Sequence, residues 1–300
     1  MNNFTTLRGN MMTNTTEKEI NTDNNDGVMP TPEEKNDMVK AVQQEVDQVV
    51  ETKSVDKRKK TIVEAMEALS ETKNALSALD DNDTEKAIQA LEQVTGKLEL
   101  VLARQPDLAL APVDVKPIVH DVFSSTKTIE TLLEEAEQAL KHGEVQKARH
   151  LLSGLASEII VETTSIPLAT FPDAIKAIAP LLDEGKAEAA KTALHTLLGT
   201  LVVSKQVIPL PVERARALLK KAEELMKKPE RTDEESTQIL NNIAEAKRQL
   251  EMAQLLGYGH KKDFEDLYEQ IKEIDKKAKA GKSGTGFFDE LTAKFKALFD

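Results

Sequence analysis

One recurring pattern constrains what this chain can fold into. A leucine is followed three residues later by Gly or Asn, five residues further by Ala, and four further by another Leu. It occurs at Leu79, Asn82, Ala87 and Leu91, at Leu140, Gly143, Ala148 and Leu152, and at Leu182, Gly185, Ala190 and Leu194. Repeats of this kind are sought first, because they set the whole architecture. The spacing predicts a helix–turn–helix. Gly or Asn falls just past the first helix, where the left-handed conformation costs least. The Ala is small enough to let the second helix approach the first, and the last Leu fills the seam.

Each copy leads into a similar connector. Leu168 lies sixteen residues after Leu152, Leu210 sixteen after Leu194, and Leu108 seventeen after Leu91, within RQPDLALAP, TSIPLATFP and QVIPLP. Proline cannot continue a helix, so these connectors are expected to be Pro-Leu crossovers. Pro172 and Pro211 suit the first turn of a following helix. The β-branched clusters Ile159–Val161 and Leu201–Val203 sit at equivalent repeat positions and are expected to be buried helix ends, with strand as the alternative. A fourth hairpin is expected over 212–228 and 233–256, joined through Pro229, with Thr232 and Glu235 as a capping box. Two further amphipathic helices flank the hairpins. One spans 32–52 with Met38, Val42, Val46 and Val49 on one face; the other spans 261–279 with Phe264, Leu267, Tyr268, Ile271 and Ile274. The expected fold class is all-α, a compact array of αα-hairpins. The period and aromatic pattern of tetratricopeptide repeats are absent.

Composition agrees with packed aliphatic helices. Hydrophobic residues make up 40%, charged residues 31% and aromatics 3%, with no Trp. The absence of Cys excludes disulfides, thiolate nucleophiles and cysteine metal sites. A net charge of −12 argues against nucleic-acid binding, which needs a basic face. No stretch approaches the length of an apolar membrane span. Residues 1–31 are polar and rich in Asn and Thr; they are expected to be disordered and to hold no secretory core, which favours a cytoplasmic location. Residues 32–256 are expected to form the helical core. Residues 257–300 are expected to be a C-terminal appendage with a Gly/Ser hinge at 281–286.

Chemical motifs are few. Ala280–Gly286 reads AGKSGTG, but a phosphate-binding loop needs a Gly where Lys276 stands, and a strand before it. His120, His142, His150, His195 and His260 lack the three- or four-residue spacing of a helical metal pair. Four of them lie within 120–195, which leaves a pH-sensing role open. Glu134, Glu135 and Glu137 fall among lysines, as on a solvated helix face. No catalytic, cofactor-binding or metal residue is assigned, and no cofactor is expected. The sharpest feature is the C-terminal segment, where Phe287, Phe288, Leu291, Phe295, Leu298 and Phe299 recur at helical spacing after the hinge. This face is either docked on its own core or offered to a protein client, to self-association or, weakly, to a membrane surface. The segment 257–300 is charge-neutral, which limits attraction to anionic lipid.

The wording ARHLLSGLASEIIVETTSIPLATFPDAIKAIAPLLDEGKAEAAKTAL, followed by LVVSKQVIPLPVERA, LLGYGHKKDFEDLYEQIKEI and GKSGTGFFD, resembles the bacterial YfdX-like family over roughly residues 60–290. The resemblance implies an all-helical fold and a link to bacterial stress resistance, including acid and heat. It carries no residue with an assigned role. The expected function is therefore non-enzymatic: a stress-response protein, chaperone-like or protein-binding through apolar helical surface. The alternative is a small-molecule-binding or enzymatic helical domain with a site between hairpins. A polar, carboxylate-lined cavity favours the alternative; an exposed apolar groove favours the first.

Overall fold

The computed structural model describes residues 32–122, 124–283 and 286–299. The elements run α1 (Pro32–Arg58), α2 (Val63–Asp80), α3 (Thr84–Arg104), β1 (Leu110–His120), α4 (Thr126–Lys141), α5 (Val145–Leu152), β2 (Glu158–Pro167), α6 (Phe171–Asp183), α7 (Ala187–Leu198), β3 (Val202–Pro209), α8 (Leu210–Met226), α9 (Asp233–Leu255), α10 (Lys261–Lys279) and α11 (Asp289–Phe299). The expectation for 1–31 lies outside the described residues.

The repeat is real, and its turns have the predicted form. Asn82, Gly143 and Gly185 have φ of 59°, 75° and 69°. At each, the next residue's N–H reaches back to a carbonyl five residues before it, as in Asp83 to Ala78 (2.8 Å), Glu144 to Ala139 (2.8 Å) and Lys186 to Leu181 (2.8 Å). This closes the helix end with a left-handed residue. Ala87, Ala148 and Ala190 are all buried at the helix–helix seams.

The fold is predominantly α, but the repeat unit holds one element more than expected. Ile159–Val161 and Val202–Val203 are not helix ends. They begin β2 and β3, which join β1 in an antiparallel sheet of order β1-β2-β3. The Pro-Leu connectors are the ends of these strands: Leu168 follows β2 and Leu210 follows β3, whereas Leu108 precedes β1. The physical cause is the side chains. Six of the ten residues of β2 are Ile, Val or Thr, which lose rotamer freedom in a helix and fit a pleated surface. Pro112 and Pro117 place β1 on an edge, where a missing N–H is harmless, and the register slips between Pro112 and Asp114.

Antiparallel pairing makes the hairpins alternate. Leu110 lies opposite Pro167, so α2–α3 and α6–α7 share one end of the sheet; His120 lies opposite Glu158, so α4–α5 lies at the other. At the first end the two hairpins bury a common core that includes Leu79, Leu91, Leu182, Leu194 and Phe171. At the second end α8 begins, since Pro209 also pairs with Glu158.

A second core joins α1 and α8–α11 through Val42, Leu218, Ile243, Phe264, Ile271 and Phe295, among others. The expected boundary at residue 256 therefore runs through a packed core, because the apolar faces of α10 and α11 find their cover on α8 and α9. Thr232 and Glu235 form the expected capping box of α9.

Candidate ligand groove

The helix α1 crosses one face of the sheet, where Val46 packs with Val115, Ile159, Val161, Ile208 and Leu210. Beside this contact α1 does not close onto β1. An open groove of about 1360 Å³ runs between α1, the end of β1, the loop after it, and the facing sides of α8 and α9. Its apolar lining includes Val50, Val119, Ile159, Leu210 and Met252. Val119 is 61% exposed, although its cross-strand partner Ile159 is buried.

The polar side of the groove is built on Arg214, one turn into α8. Its guanidinium grips Asp121, donating to Oδ1 at 3.2 Å and to Oδ2 at 2.6 Å, and also to Gln43 Oε1 at 3.2 Å. The Arg214 side chain is 8% exposed and that of Asp121 13%. Asp121 Oδ1 also accepts the Ser157 hydroxyl at 2.7 Å. Gln43 donates in turn to Asp47 at 2.8 Å, tying α1 into the network. Behind Ser157, its backbone N–H donates to the Tyr258 hydroxyl at 2.9 Å. Burial, first, and then the nearby Glu158 and Asp121 carboxylates push the Tyr258 phenol above its ordinary range, although the Ser157 bond opposes them.

A second polar cluster lies on α9. Glu245 is buried and accepts from Arg248 Nε at 2.8 Å and from Gln249 Nε2 at 2.9 Å. That leaves the Gln249 carbonyl oxygen without a protein partner. Arg214 Nε and Ser54 Oγ are likewise buried and without one. All three residues line the groove. Buried polar atoms in proteins are nearly always paired, and each exception calls for a cause. Here a donor, an acceptor and a hydroxyl that can be either belong to three residues that border the same open space.

Two ion pairs stand at the groove. Asp121 is held by Arg214, and Glu245 by Arg248. Both carboxylates are thus engaged by guanidinium groups, as charge-assisted hydrogen bonds.

None of the polar groove residues was singled out by the sequence. The signal that was present lies in α9, where Asn242, Glu245 and Gln249 fall on the same stripe as Ile239, Ala246 and Leu250. Polar residues at buried helical positions mark a network. Asp121 and Arg214, 93 residues apart, carry no local signature.

The C-terminal face named from the sequence is found docked in cis. Phe288, Leu291 and Phe295 are buried in the second core, Phe287 and Phe299 are half-buried, and Leu298 is 38% exposed. Arg216 lies over the Phe295 ring at 5.4 Å and donates to the Phe295 carbonyl at 2.8 Å. Phe299 meets Phe264 and Phe295 at ring distances of 6.1 and 6.2 Å. Of the alternatives the sequence left open for this face, the structure has the docked one. Burying several large apolar side chains far outweighs the ordering of one short helix. Of the hinge, Lys282 is fixed through its carbonyl by Arg231 at 3.1 Å.

All five histidines are exposed, and none faces a hairpin seam. Among the described residues, no three His, Asp or Glu side chains converge as metal ligands, and no helix is long and apolar enough to cross a membrane.

Comparison with known proteins gives one family match over part of the chain. Residues 68–207 match the model of the YfdX protein family. A solved structure, that of Salmonella Typhi YfdX, is similar at 18% identity, with a TM-score of 0.35. The match covers 50% of this chain and 93% of that one. No curated protein matches the chain.

Proposed function

We propose, from the match of residues 68–207 to the YfdX family model, that the chain is a cytoplasmic stress-response protein of bacteria that acts by binding. The groove between α1, β1, α8 and α9 holds its ligand. The class of ligand follows from the lining: an amphipathic molecule with an apolar body for Val50, Val119 and Met252 and a polar end that both accepts and donates hydrogen bonds. The observation that carries this reading is the set of buried, unpartnered atoms at Ser54, Arg214 and Gln249, all on one groove. A polar atom left buried without a partner costs roughly 1–3 kcal/mol. A ligand that satisfies them gains that amount back in affinity. The groove exceeds the roughly 300–1,000 Å³ of ordinary small-molecule sites, which leaves room for an extended ligand.

The test uses the dye anion 1-anilinonaphthalene-8-sulfonate, which has an aromatic body and one anionic end. Its fluorescence is expected to saturate at one dye per chain. Val119→Asp places a carboxylate at an exposed point of the groove and is expected to weaken binding at least about tenfold, or 1.4 kcal/mol. Val203→Asp, on the exposed edge of β3, is expected to leave it unchanged. Equal loss in both variants, or no saturable binding at all, would refute the assignment of the groove.

A further inference from the structure

We propose that the ligand of the groove is an extended polypeptide segment of a partner protein, added as a further strand along the open edge of β1. The proposal rests on the groove reading above and names the class of molecule that fills it.

The pairing of the sheet decides which main-chain groups of β1 face outward. The carbonyl of Ser157, just before β2, accepts the Leu210 N–H at 2.9 Å, on the side of β3. Main-chain groups alternate in direction along an antiparallel strand. Odd-numbered residues of β2 therefore bond toward β3, and even-numbered ones toward β1. The β1 partners of Glu158, Ile160 and Glu162 are His120, Ile118 and Lys116, and these turn inward. Val115, Pro117 and Val119 turn their main-chain groups outward. Pro117 agrees with this phase, since a proline in a sheet belongs where no ladder N–H is needed.

The two halves of this edge differ. At the near end the Pro112 carbonyl accepts the Ile62 N–H at 3.0 Å, so the start of α2 covers it. At the far end Pro117, Val119 and Asp121 border the groove. Among the described residues, no backbone bond outside the sheet reaches Pro117 or Val119. A partner strand finds there the Val119 N–H and the carbonyls of Val119 and Pro117. Such an edge is a template for another strand, and strand addition is a general way to capture a peptide. The opposite edge, β3, carries Lys205 near its centre, a charge that discourages such pairing.

The lining sets the side chains of the segment. Residues of a strand alternate between its two faces. One face of the added strand meets Val50, Val119 and Met252, and the other stays in water, so the segment alternates apolar and polar residues. Its far edge, not bonded to β1, carries amide donors and acceptors, the kinds of partner that Ser54, Arg214 and Gln249 lack. The net charge of −12 repels acidic segments and favours one flanked by Lys or Arg.

Fluorescence anisotropy of the full chain with a labelled seven-residue peptide, alternating Val and Thr with Lys at each end, tests this. The peptide is expected to saturate at one per chain and to displace the dye. Val119→Pro removes an outward N–H without breaking the ladder to β2; it is expected to weaken the peptide at least about tenfold while dye affinity stays within about twofold. If that variant fails to fold, amide hydrogen exchange of the wild-type chain decides: the peptide is expected to slow exchange at Val119 at least about tenfold. A dye that saturates where the peptide does not overturns this proposal and leaves the groove reading standing; failure of both removes the groove reading as well. Equal peptide binding by folded Val119→Pro, or unchanged exchange at Val119, also overturns it.

Discussion

Removing the Asp121 carboxylate is the sharpest test of the groove's polar wall. Arg214 would keep its charge, its burial and one acceptor, Gln43 Oε1 at 3.2 Å, and lose both bonds to Asp121. Ser157 would lose the acceptor of its hydroxyl. Breaking a buried ion pair from one side costs about 3–5 kcal/mol, because the remaining charge stays desolvated. Asp121→Ala is therefore expected to destabilise by about 3–5 kcal/mol, or a melting temperature lower by roughly 6–20 °C for a chain of this size. The pair itself contributes less than this loss suggests, since two ions were taken from water to make it. Asp121→Ala combined with Arg214→Met is thus expected to recover most of the stability, with a coupling of about 2 kcal/mol or more in the double-mutant cycle. Urea unfolding followed by far-ultraviolet circular dichroism measures all three variants. A loss under about 1 kcal/mol for Asp121→Ala would refute the reasoning. It would mean that Arg214 is solvated through the groove and that its Nε needs no ligand.

Three other perturbations probe separate parts of the fold. Gly185→Val is expected to destabilise by at least about 1–2 kcal/mol; no atom lies within 4 Å of the added Cβ, so the cost is that of φ +69° alone. Asn82→Gly at the equivalent turn should leave the melting temperature nearly unchanged. Phe295→Asp buries a carboxylate among aromatic rings and removes the contact with Arg216, so it should cost at least about 3 kcal/mol and melt the second core before the first. Tyr258 and Tyr268 are both pushed above the ordinary phenol range, chiefly by burial. Their protonated forms are favoured in the folded chain, so this contribution to stability is present below pH ~10 and is lost as pH rises further. With two Tyr and no Trp in the chain, absorbance at the phenolate band should stay low above pH ~10 until unfolding releases both; a rise at the ordinary phenol pKa in the folded protein would contradict the burial argument.

The helices were legible because their signals are local. Asn82, Gly143 and Gly185 announce turns through their own backbone preferences, and Thr232 with Glu235 announces a cap within four residues. The sheet was less legible because the same side chains serve two outcomes. Ile159–Val161 is too short for periodicity to separate a strand from a buried helix end. The deciding fact, its pairing with 117–119 and 206–208, spans about forty residues on either side. The six C-terminal apolar residues were found at once, but an apolar stripe shows only that something must cover it. That the cover is α8–α10 of the same chain depends on Arg216 and Phe264, which the stripe does not mention. The groove was invisible for a stronger reason. Asp121, Arg214 and Gln249 lie in three separate elements, and each is ordinary in its own neighbourhood.

The groove is also a consequence of the repeat's parity. An antiparallel three-stranded sheet fed by hairpins places two of them at one end, where they satisfy each other, and one at the opposite end beside the exit of β3. The chain leaving there forms the fourth hairpin, α8–α9, which with α10 and α11 covers that end with different side chains. They pack on α1 and one face of the sheet without reproducing the Leu–Ala seam, and the imperfect fit leaves an open trough. The family match ends at Val207, within β3. The apolar wall at Val119 and Ile159 lies inside the matched region, while Gln43, Ser54, Arg214 and Gln249 lie outside it. On the binding reading, the repeats supply the surface on which a ligand rests, and the flanking helices supply the groups that choose it. Exchanging Ser54 and Gln249 should therefore change which dye or ligand binds while leaving residues 68–207 folded, and exchanging residues of the sheet should do the reverse.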